Sequence, residues 1–220
     1  MNNINTRETR IEIAYKEQNI IYNTVKRTLD IILSLIGLIL LSPVFLIIAA
    51  VIRLDSKGKV IFGHERIGQN MKKIKIYKFR TMYENAEEIF ENFTEEQKQE
   101  YYINFKLDND PRITKVGDFL RKTSLDELPQ LINILKGDMS IVGPRPIVEK
   151  EIEKYNGYAS QVFSVLPGLT GYWQAHGRSD TTYDERVQMD MYYLRNRSLV
   201  LDFKIILKTV VSVIKKEGAM

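Results

Sequence analysis

Cysteine is absent from this 220-residue chain, and histidine occurs only twice, at His64 and His176. The lack of cysteine excludes disulfide bonds and thiolate metal sites. Two histidines are too few for a histidine-based metal cluster, so any metal is expected to be a hard cation held by oxygen ligands. The charge excess is also small, with 32 basic and 28 acidic residues and a net charge of +4. That balance suits a surface near anionic lipid or phosphate-bearing ligands and does not by itself imply DNA binding.

One long run without any charge, IILSLIGLILLSPVFLIIAAVI, covers residues 31–52. Its length is that of a transmembrane helix, but Pro43 removes a backbone hydrogen bond and predicts a kink. The Ser42 hydroxyl can satisfy the carbonyl that the proline leaves free. Basic residues flank the run on both sides and so give no preferred orientation. Two interpretations are equally favoured: a re-entrant hairpin with both ends in the cytoplasm, and a kinked helix that spans the membrane. A buried core helix of a soluble protein comes third.

Residues 58–82 predict two strands joined through a Gly68-Gln69-Asn70 turn, because apolar residues alternate in VIF and KIKIYKF. The outward positions of this hairpin are basic: Lys72, Lys73, Lys75, Lys78 and Arg80. A solvated strand face is the plain interpretation, and we adopt it for Lys72 and Lys73. Near an anionic membrane, the cluster would also add lipid attraction.

The remaining segments predict helices around a glycine-rich loop. Residues 84–105 are acidic with helical spacing and predict one exposed helix, and residues 147–163 predict an amphipathic helix. The C-terminal run from Leu199 is either a basic amphipathic helix at a bilayer interface or a core-packing helix. The loop PGLTGYWQAHGRSD carries Arg178 and is either a nucleotide or sugar cradle or a turn-rich surface loop.

Two adjacent carboxylates, Asp126 and Glu127, stand just before Pro129. Because proline is tolerated only in the first helical turn, a helix must begin close to Asp126. Both acids would then lie at the positive end of a helix dipole, which is expected to keep Asp126 ionised. Ser124 and Glu127 also match the S-x-x-E capping box, so a purely structural interpretation exists and is favoured on this feature alone.

Arg145 stands between two prolines in GPRP, which fixes the backbone and aims the guanidinium. Arginine suits bidentate contacts to phosphate. Arg145 is therefore a better ligand candidate than any lysine of the hairpin.

Five strings occur in this order: KRTLDIILSLIGLILLSP, ERIGQNMKKIKIYKFRTM, DPRITKVGDFLRKTSLDELPQLINILKGDMSIVGPRP, PGLTGYWQAHGRS and DFKIILKTVVSVIKKEGA. In them, from about Lys26 to Ala219, the chain resembles the bacterial sugar transferase family, the monotopic phosphoglycosyl transferases. The resemblance implies an undecaprenyl-phosphate sugar phosphotransferase. Such an enzyme moves a sugar phosphate from a UDP-sugar to a polyprenyl phosphate, usually undecaprenyl phosphate, and releases UMP.

The resemblance also assigns roles to the acid pair. Asp126 is the expected nucleophile, which attacks the sugar-proximal phosphorus and forms an acyl-phosphate intermediate. Glu127 is the second catalytic residue and is expected to hold Mg²⁺ against the diphosphate oxygens.

Six basic residues are expected to contact substrate on the same grounds. Lys59, Arg112 and Arg145 match family positions implicated in phosphate or substrate binding. For Lys78 and for Arg80, contact with the ligand and support of the fold are equally favoured. Arg178 is expected to contact the nucleotide or sugar.

The fold expected from the resemblance is a mixed, helix-rich α/β fold. It joins a membrane-embedded re-entrant helix hairpin to a small cytosolic catalytic domain with a short β-hairpin and amphipathic interfacial helices. We expect a polar N-terminal segment (1–25), a re-entrant helix (26–54) broken at Ser42-Pro43, and the catalytic domain (55–220). The site would face the cytoplasm at the bacterial inner membrane, in a chain that resembles a catalytic domain standing alone.

The expected partners are a UDP-sugar, undecaprenyl phosphate and membrane lipid, with a second copy of the chain plausible from the family. Nucleic acid is not expected, because no recognition module accompanies the basic residues. The WQAHGR string is more similar to the hexose-using family members, so UDP-glucose or UDP-galactose is favoured, in exopolysaccharide, capsule or glycoconjugate synthesis. The alternatives are a UDP-N-acetylated amino sugar and a non-catalytic membrane scaffold for polysaccharide assembly.

Overall fold

The two N-terminal helices are bent against each other at the Ser42-Pro43 pair. The structure, a computed structural model, describes residues 20–104, 107, 109–177 and 181–214. Helix α1 (Ile20–Leu40) and helix α2 (Ser42–Asp55) meet at an angle of 60°. Pro43 has no N–H to donate to the carbonyl of Ile39, and Ser42 Oγ donates to that oxygen at 2.8 Å instead. The predicted break and the predicted role of the hydroxyl are both present.

Neither α1 nor α2 alone has the length and apolarity of a membrane span, nor has any other helix in the described ranges. The two meet that criterion only when taken together across their bend. α1 begins inside the segment that we expected to be polar, and residues 1–19 of that segment lie outside the described residues. Many large apolar side chains of the pair are exposed, among them Leu33, Ile36, Leu40, Leu46 and Leu54. An exposed apolar surface of this extent marks an interaction site.

A β-hairpin follows, as the alternating sequence predicts. Strand β1 (Ile61–Ile67) pairs antiparallel with β2 (Lys73–Phe79), and a 3₁₀ turn at Gln69–Met71 joins them. In this register Phe62 lies opposite Lys78. Because side chains alternate along a strand, one face of the hairpin carries Phe62, His64, Arg66, Ile74, Ile76 and Lys78.

The acidic stretch after the hairpin forms two helices where the sequence predicted one. Helix α3 (Ala86–Glu91) ends at Asn92, and helix α4 (Glu95–Asn104) follows directly. Thr94 separates them, because its Oγ1 accepts a hydrogen bond from the backbone N–H of Gln97 and so starts a new helix. Helical spacing alone did not reveal this interruption.

The middle of the chain alternates short helices and strands. Helix α5 (Lys115–Lys122) is capped by Thr114, and helix α6 (Gln130–Lys136) ends at Gly137 with a φ of 90°. Strand β3 (Ser140–Val142) then pairs in parallel with β4 (Gly168–Thr170). This second strand pair was not predicted, because each strand is only three residues long.

The predicted helix over residues 147–163 is wrong for most of its length. The segment forms a 3₁₀ helix at Glu149–Tyr155 and a short helix α7 (Ala159–Val162). Asn156 and Gly157 separate the two with φ angles of 49° and 81°, which no α-helix can accommodate. Tyr155, Val162 and Phe163 are fully buried in the largest core cluster of the described chain.

Three helices complete the described chain: α8 (Tyr172–His176), α9 (Tyr183–Asn196) and α10 (Leu199–Ile214). Helices α9 and α10 are tied to α1 through the buried carboxylate of Asp202. This group accepts hydrogen bonds from Tyr22 at 3.0 Å, Lys26 at 2.9 Å and Tyr193 at 2.8 Å. The fold is thus a mixed, helix-rich α/β fold in which the N-terminal helix is anchored to the C-terminal pair.

Candidate active site

The acid pair lies in a tight turn between α5 and α6. Asp126 and Glu127 belong to a 3₁₀ turn, preceded by Ser124 in the left-handed conformation with a φ of 57°. Gly117 sets the position of α5, because a Cβ there would lie 2.0 Å from the carbonyl oxygen of Thr81. This close approach holds the acid turn against the end of the β-hairpin.

Two cations meet the acid pair from different parts of the chain. Lys78 Nζ lies 2.6 Å from Glu127 Oε1 and 3.7 Å from Asp126 Oδ2. Arg145 Nη1, which comes from the GPRP loop, lies 3.4 Å from the same Glu127 oxygen. The structure therefore brings together four of the residues predicted from the sequence as a single site. It also places Lys78 against the acids, so the solvated-face interpretation is wrong for this lysine.

The capping-box interpretation of the acid pair fails on geometry. Ser124 makes no side-chain capping hydrogen bond to the turn, so the Ser124–Glu127 capping box is not formed. Helix α6 begins only at Gln130, beyond both acids. A left-handed non-glycine residue is also strained, by roughly 1–3 kcal/mol, and such strain clusters at functional sites.

The two carboxyl groups have pKa values shifted in opposite directions. Burial disfavours the charged form of Glu127, but Lys78 and Arg145 outweigh this and lower its pKa to about 2. Burial raises the pKa of Asp126 above its usual value, and the attraction of Lys78 offsets this only in part. The direction for Asp126 is opposite to the one expected from a helix dipole, because Asp126 is 7% exposed and precedes the helix.

Arg121 also belongs to the site, and the sequence analysis missed it. Its Nε donates to Thr81 Oγ1 at 2.9 Å, and its charge interacts with Asp126. Burial lowers the pKa of Arg121, while Asp126 acts in the opposite direction. Its position five residues before Asp126 offered a hint, but only the packing of α5 decides that it turns toward the acids.

Within the described part of the chain, neither Lys59 nor Arg80 contacts the acid pair, and Arg80 matches the fold-support alternative of the sequence analysis. Arg80 donates to Ser56 O at 2.7 Å and also to the carbonyl of Lys57, at the end of α2. It therefore supports the fold by binding the free carbonyls of a helix C-terminus. Lys59 is exposed in the link between α2 and β1.

Arg112 is buried beside α3 and α4, and Arg178 lies outside the described residues. Arg112 Nη2 lies 2.7 Å from Asp110 Oδ2. Its guanidinium also stacks over three rings, those of Phe90, Phe93 and Tyr101. Its charge is thus already matched within the protein.

The acid pair has the donor chemistry that Mg²⁺ prefers. Asp126 and Glu127 supply carboxylate oxygens, and Mg²⁺ is commonly bound by one or two carboxylates together with substrate phosphates. No cluster of three or more acidic, histidine or cysteine ligands occurs in the described part of the chain. The residues present therefore fit a metal shared with a diphosphate, and Lys78 would have to give up part of its contact with Glu127.

The cleft at Glu127 is narrow. It encloses only about 10 Å³ and is lined by Arg66, Ile76, Lys78, Glu127, Gln130, Arg145, Pro146 and Gly168. This volume is barely enough for one water molecule. A larger cavity of about 280 Å³ lies beside α1, and its lining contains neither acid.

Comparison with known proteins decides the family. The sequence profile described as bacterial sugar transferase matches residues 21–216. The chain belongs to the bacterial sugar transferase family. The acid turn, the hairpin with Lys78 and the GPRP loop all lie within the matched range of this family member.

Three curated relatives are similar to this sugar transferase over most of its length. The exopolysaccharide production protein ExoY of Rhizobium meliloti is 46% identical over 197 residues, which cover 88% of this chain and 87% of that protein. The undecaprenyl-phosphate galactose phosphotransferase of Salmonella typhimurium is 46% identical over 198 residues, covering 89% of this chain and 41% of that protein. The UDP-glucose:undecaprenyl-phosphate glucose-1-phosphate transferase of Escherichia coli is 43% identical over 195 residues, covering 84% of this chain and 39% of that protein.

Proposed function

We propose that this chain is an enzyme that transfers a hexose-1-phosphate from a UDP-sugar to undecaprenyl phosphate and releases UMP. The observation that carries the proposal is the acid pair itself, in which Lys78 faces both carboxylates and Arg145 contacts Glu127. Two relatives are named for the same reaction with galactose or glucose, and a third for exopolysaccharide production. UDP-galactose or UDP-glucose is therefore the donor that we favour.

The reaction proceeds in two displacements at phosphorus. An oxygen of Asp126 forms a bond to the sugar-bearing phosphorus, and the bond from that phosphorus to UMP breaks with its electron pair on UMP. An oxygen of the lipid phosphate then forms a bond to the same phosphorus, and the bond to Asp126 breaks. The first step needs an ionised Asp126, and the second releases it again as a carboxylate. Both steps need cations beside the phosphate oxygens, and Lys78 stands 3.7 Å from that carboxylate.

Glu127 has a different part in the reaction. Its low pKa keeps it ionised, so it can hold a cation at neutral pH without competing with Asp126 for a proton. We propose that Glu127 and the diphosphate together hold Mg²⁺, which when bound supplies neutralisation of the phosphate oxygens. Lys59, Arg80, Arg112 and Arg178 stay predictions as substrate contacts, and Arg80 and Arg112 already have partners inside the protein.

We further propose that α1 and α2 form a re-entrant hairpin in the bacterial inner membrane. The bend of 60° and the exposed apolar side chains of both helices support this arrangement. Both ends of the hairpin would lie on the cytoplasmic side, where the UDP-sugar is available to the site. A homodimer stays a prediction.

The decisive experiment is UMP release from a panel of UDP-sugars with undecaprenyl phosphate and Mg²⁺, for wild type and Asp126→Asn. We expect release with UDP-galactose or UDP-glucose and its loss in the variant, with membrane association unchanged. A UDP-sugar labelled in the sugar should also label the protein when the lipid acceptor is omitted. A non-catalytic scaffold predicts no release with any donor, and lipid product formed without any labelled protein would exclude the covalent step.

A further inference from the structure

We propose that Arg66 and Arg145 form a phosphate subsite beside the acid pair. This subsite would bind the phosphate of UMP as UMP departs, and would later bind the phosphate of the lipid acceptor. The inference rests on the proposed function and adds Arg66, a residue of β1 to which the sequence assigned no role, to the predicted substrate-binding residues. Both arginines line the cleft at Glu127, from different elements of the fold, and this cleft of about 10 Å³ would have to widen to admit a phosphate.

The first argument is the proximity of like charges. Besides burial, the nearby charge of Arg145 lowers the pKa of Arg66, to about 10. Two guanidinium groups that repel each other in a half-buried cleft are stabilised when an anion binds between them. Lys78 adds a third cation to the same wall, against the two carboxylates of the acid pair. The cleft therefore carries an excess of positive charge.

The second argument is that Arg66 is held in place without being neutralised. Its Nη1 lies 3.7 Å from Glu151 Oε2, and that carboxylate also lies 3.7 Å from Nη1 of Arg186. Glu151 further accepts hydrogen bonds from the backbone N–H of Val148 and from Tyr183 Oη. One carboxylate thus serves two arginines, and it cannot fully compensate Arg66.

The third argument concerns His64, which lies on the same hairpin face. Arg66 Nη2 donates to Nδ1 of His64 over 3.2 Å, which places the imidazole proton on Nε2. Burial and the charges of Arg66 and Lys78 lower the pKa of His64 to about 4, so the ring stays neutral and continues to accept. Arg66 Nε is buried and has no partner among the described residues. The guanidinium is thus oriented from one side and retains unused donors.

The chemistry of the reaction supplies an anion for each step. When the bond from phosphorus to UMP breaks, the electron pair and a full negative charge develop on the UMP phosphate. A guanidinium pair suits that charge, because its planar N–H groups match two phosphate oxygens. Once UMP has left, the same two groups can position the lipid phosphate for attack on the phosphorus held by Asp126.

The test uses Arg66→Gln and Arg66→Lys in the full chain, with Arg195→Gln as a matched control on the exposed face of α9. One arm measures the inhibition constant of UMP and the rate of UMP release without acceptor. The other measures the KM of undecaprenyl phosphate with enzyme already labelled by the sugar phosphate. Losing a charge-assisted hydrogen bond should raise the inhibition constant of UMP and the KM of undecaprenyl phosphate by roughly 10-fold or more in Arg66→Gln. Both constants should rise less in Arg66→Lys.

The outcomes separate this subsite from a structural role and from the proposed function itself. A purely structural Arg66 would lower the melting temperature and the fraction of enzyme that can be labelled, but leave the UMP inhibition constant unchanged. Values within twofold of wild type in both arms would overturn the subsite, whereas wild type without UMP release would overturn the proposed function. An effect in one arm alone would assign the subsite to that phosphate and overturn its shared use.

Discussion

Lys78 donates a hydrogen bond of 2.6 Å to Oε1 of Glu127, across 49 positions of sequence. The contact joins the β-hairpin to the acid turn and is largely shielded from solvent, since both side chains are 18% exposed. Its removal would leave a buried carboxylate without its main partner, which is unfavourable in a shielded site. The lysine therefore organises the site, and under the proposed function it is also a cation available to the phosphate.

We expect Lys78→Gln to lower the turnover number roughly 10- to 100-fold, the range for a lost charge-assisted hydrogen bond. Steady-state UMP release measures this effect. Lys75→Gln is the matched control, because Lys75 is exposed on the opposite face of the same strand. Equal activity of the two variants would show that Lys78 takes no part in the reaction.

The raised pKa of Asp126 predicts an acid limb in the rate of UMP release. Asp126 attacks only when ionised, so the rate should rise with pH through its pKa, above the usual aspartate range. Glu127, with a pKa near 2, is already ionised there and does not contribute to this limb. Because Lys78 lowers the pKa of Asp126, Lys78→Gln should move the limb to higher pH.

The measurement is the pH profile of kcat/KM for UMP release between pH 4 and 8. It reports the ionisation of the free enzyme. Lys75→Gln should keep the wild-type profile. A limb at the same pH in wild type and Lys78→Gln would contradict the assignment of the limb to Asp126.

Local chemistry in the sequence predicted several features of this fold correctly. Pro43 and its neighbour Ser42 determined the break between α1 and α2, because the missing N–H and the hydroxyl act within one turn. Alternation predicted the β-hairpin, and the acid pair with Arg145 was located by motif. In each case the physical cause lies within a few residues of its effect.

Features that depend on tertiary packing were not accessible from the sequence. Arg66 and Arg121 reach the site because the hairpin register and the packing of α5 at Gly117 turn them there. Arg112 looks like a phosphate ligand beside Pro111, yet Asp110 and three distant rings enclose it. No local pattern announces such partners.

The proposed re-entrant hairpin implies a topology that depends on Pro43. Replacing Pro43 by alanine would allow residues 20–55 to form one helix of about 54 Å, well beyond the ~30 Å core of a bilayer. We expect Pro43→Ala to move the N-terminus of part of the population to the periplasmic side. Ser42→Ala keeps the proline and should keep the wild-type topology.

The absence of cysteine makes this topology measurable. Single cysteines introduced as Asn3→Cys and Ala219→Cys can be labelled with a membrane-impermeant maleimide in inverted and intact vesicles. Both should react from the cytoplasmic side in the wild-type background. Reaction from opposite sides would mean that α1 and α2 cross the membrane as a kinked span.

Asp190 predicts a pH dependence of stability that is separate from catalysis. Its carboxylate accepts a hydrogen bond from Tyr155 at 3.1 Å, its Oδ1 has no partner in the described chain, and burial raises its pKa to about 6. The folded protein therefore binds this proton more tightly than the unfolded chain. Stability from this group is present below about pH 4 and is lost as the pH rises through about 6.

We expect Asp190→Asn to remove this loss, because an amide cannot ionise and its oxygen can still accept from Tyr155. Compared with wild type, the variant should gain on the order of 3 kcal/mol in the free energy of unfolding above pH 6 and nothing below pH 4. Melting temperatures between pH 4 and 8 test this, with Asp184→Asn, an exposed acid on the same helix, as control. The gain in melting temperature should grow between pH 4 and 6 and then level off. A gain or loss that is constant across this range would mean that the proton on Asp190 does not control stability.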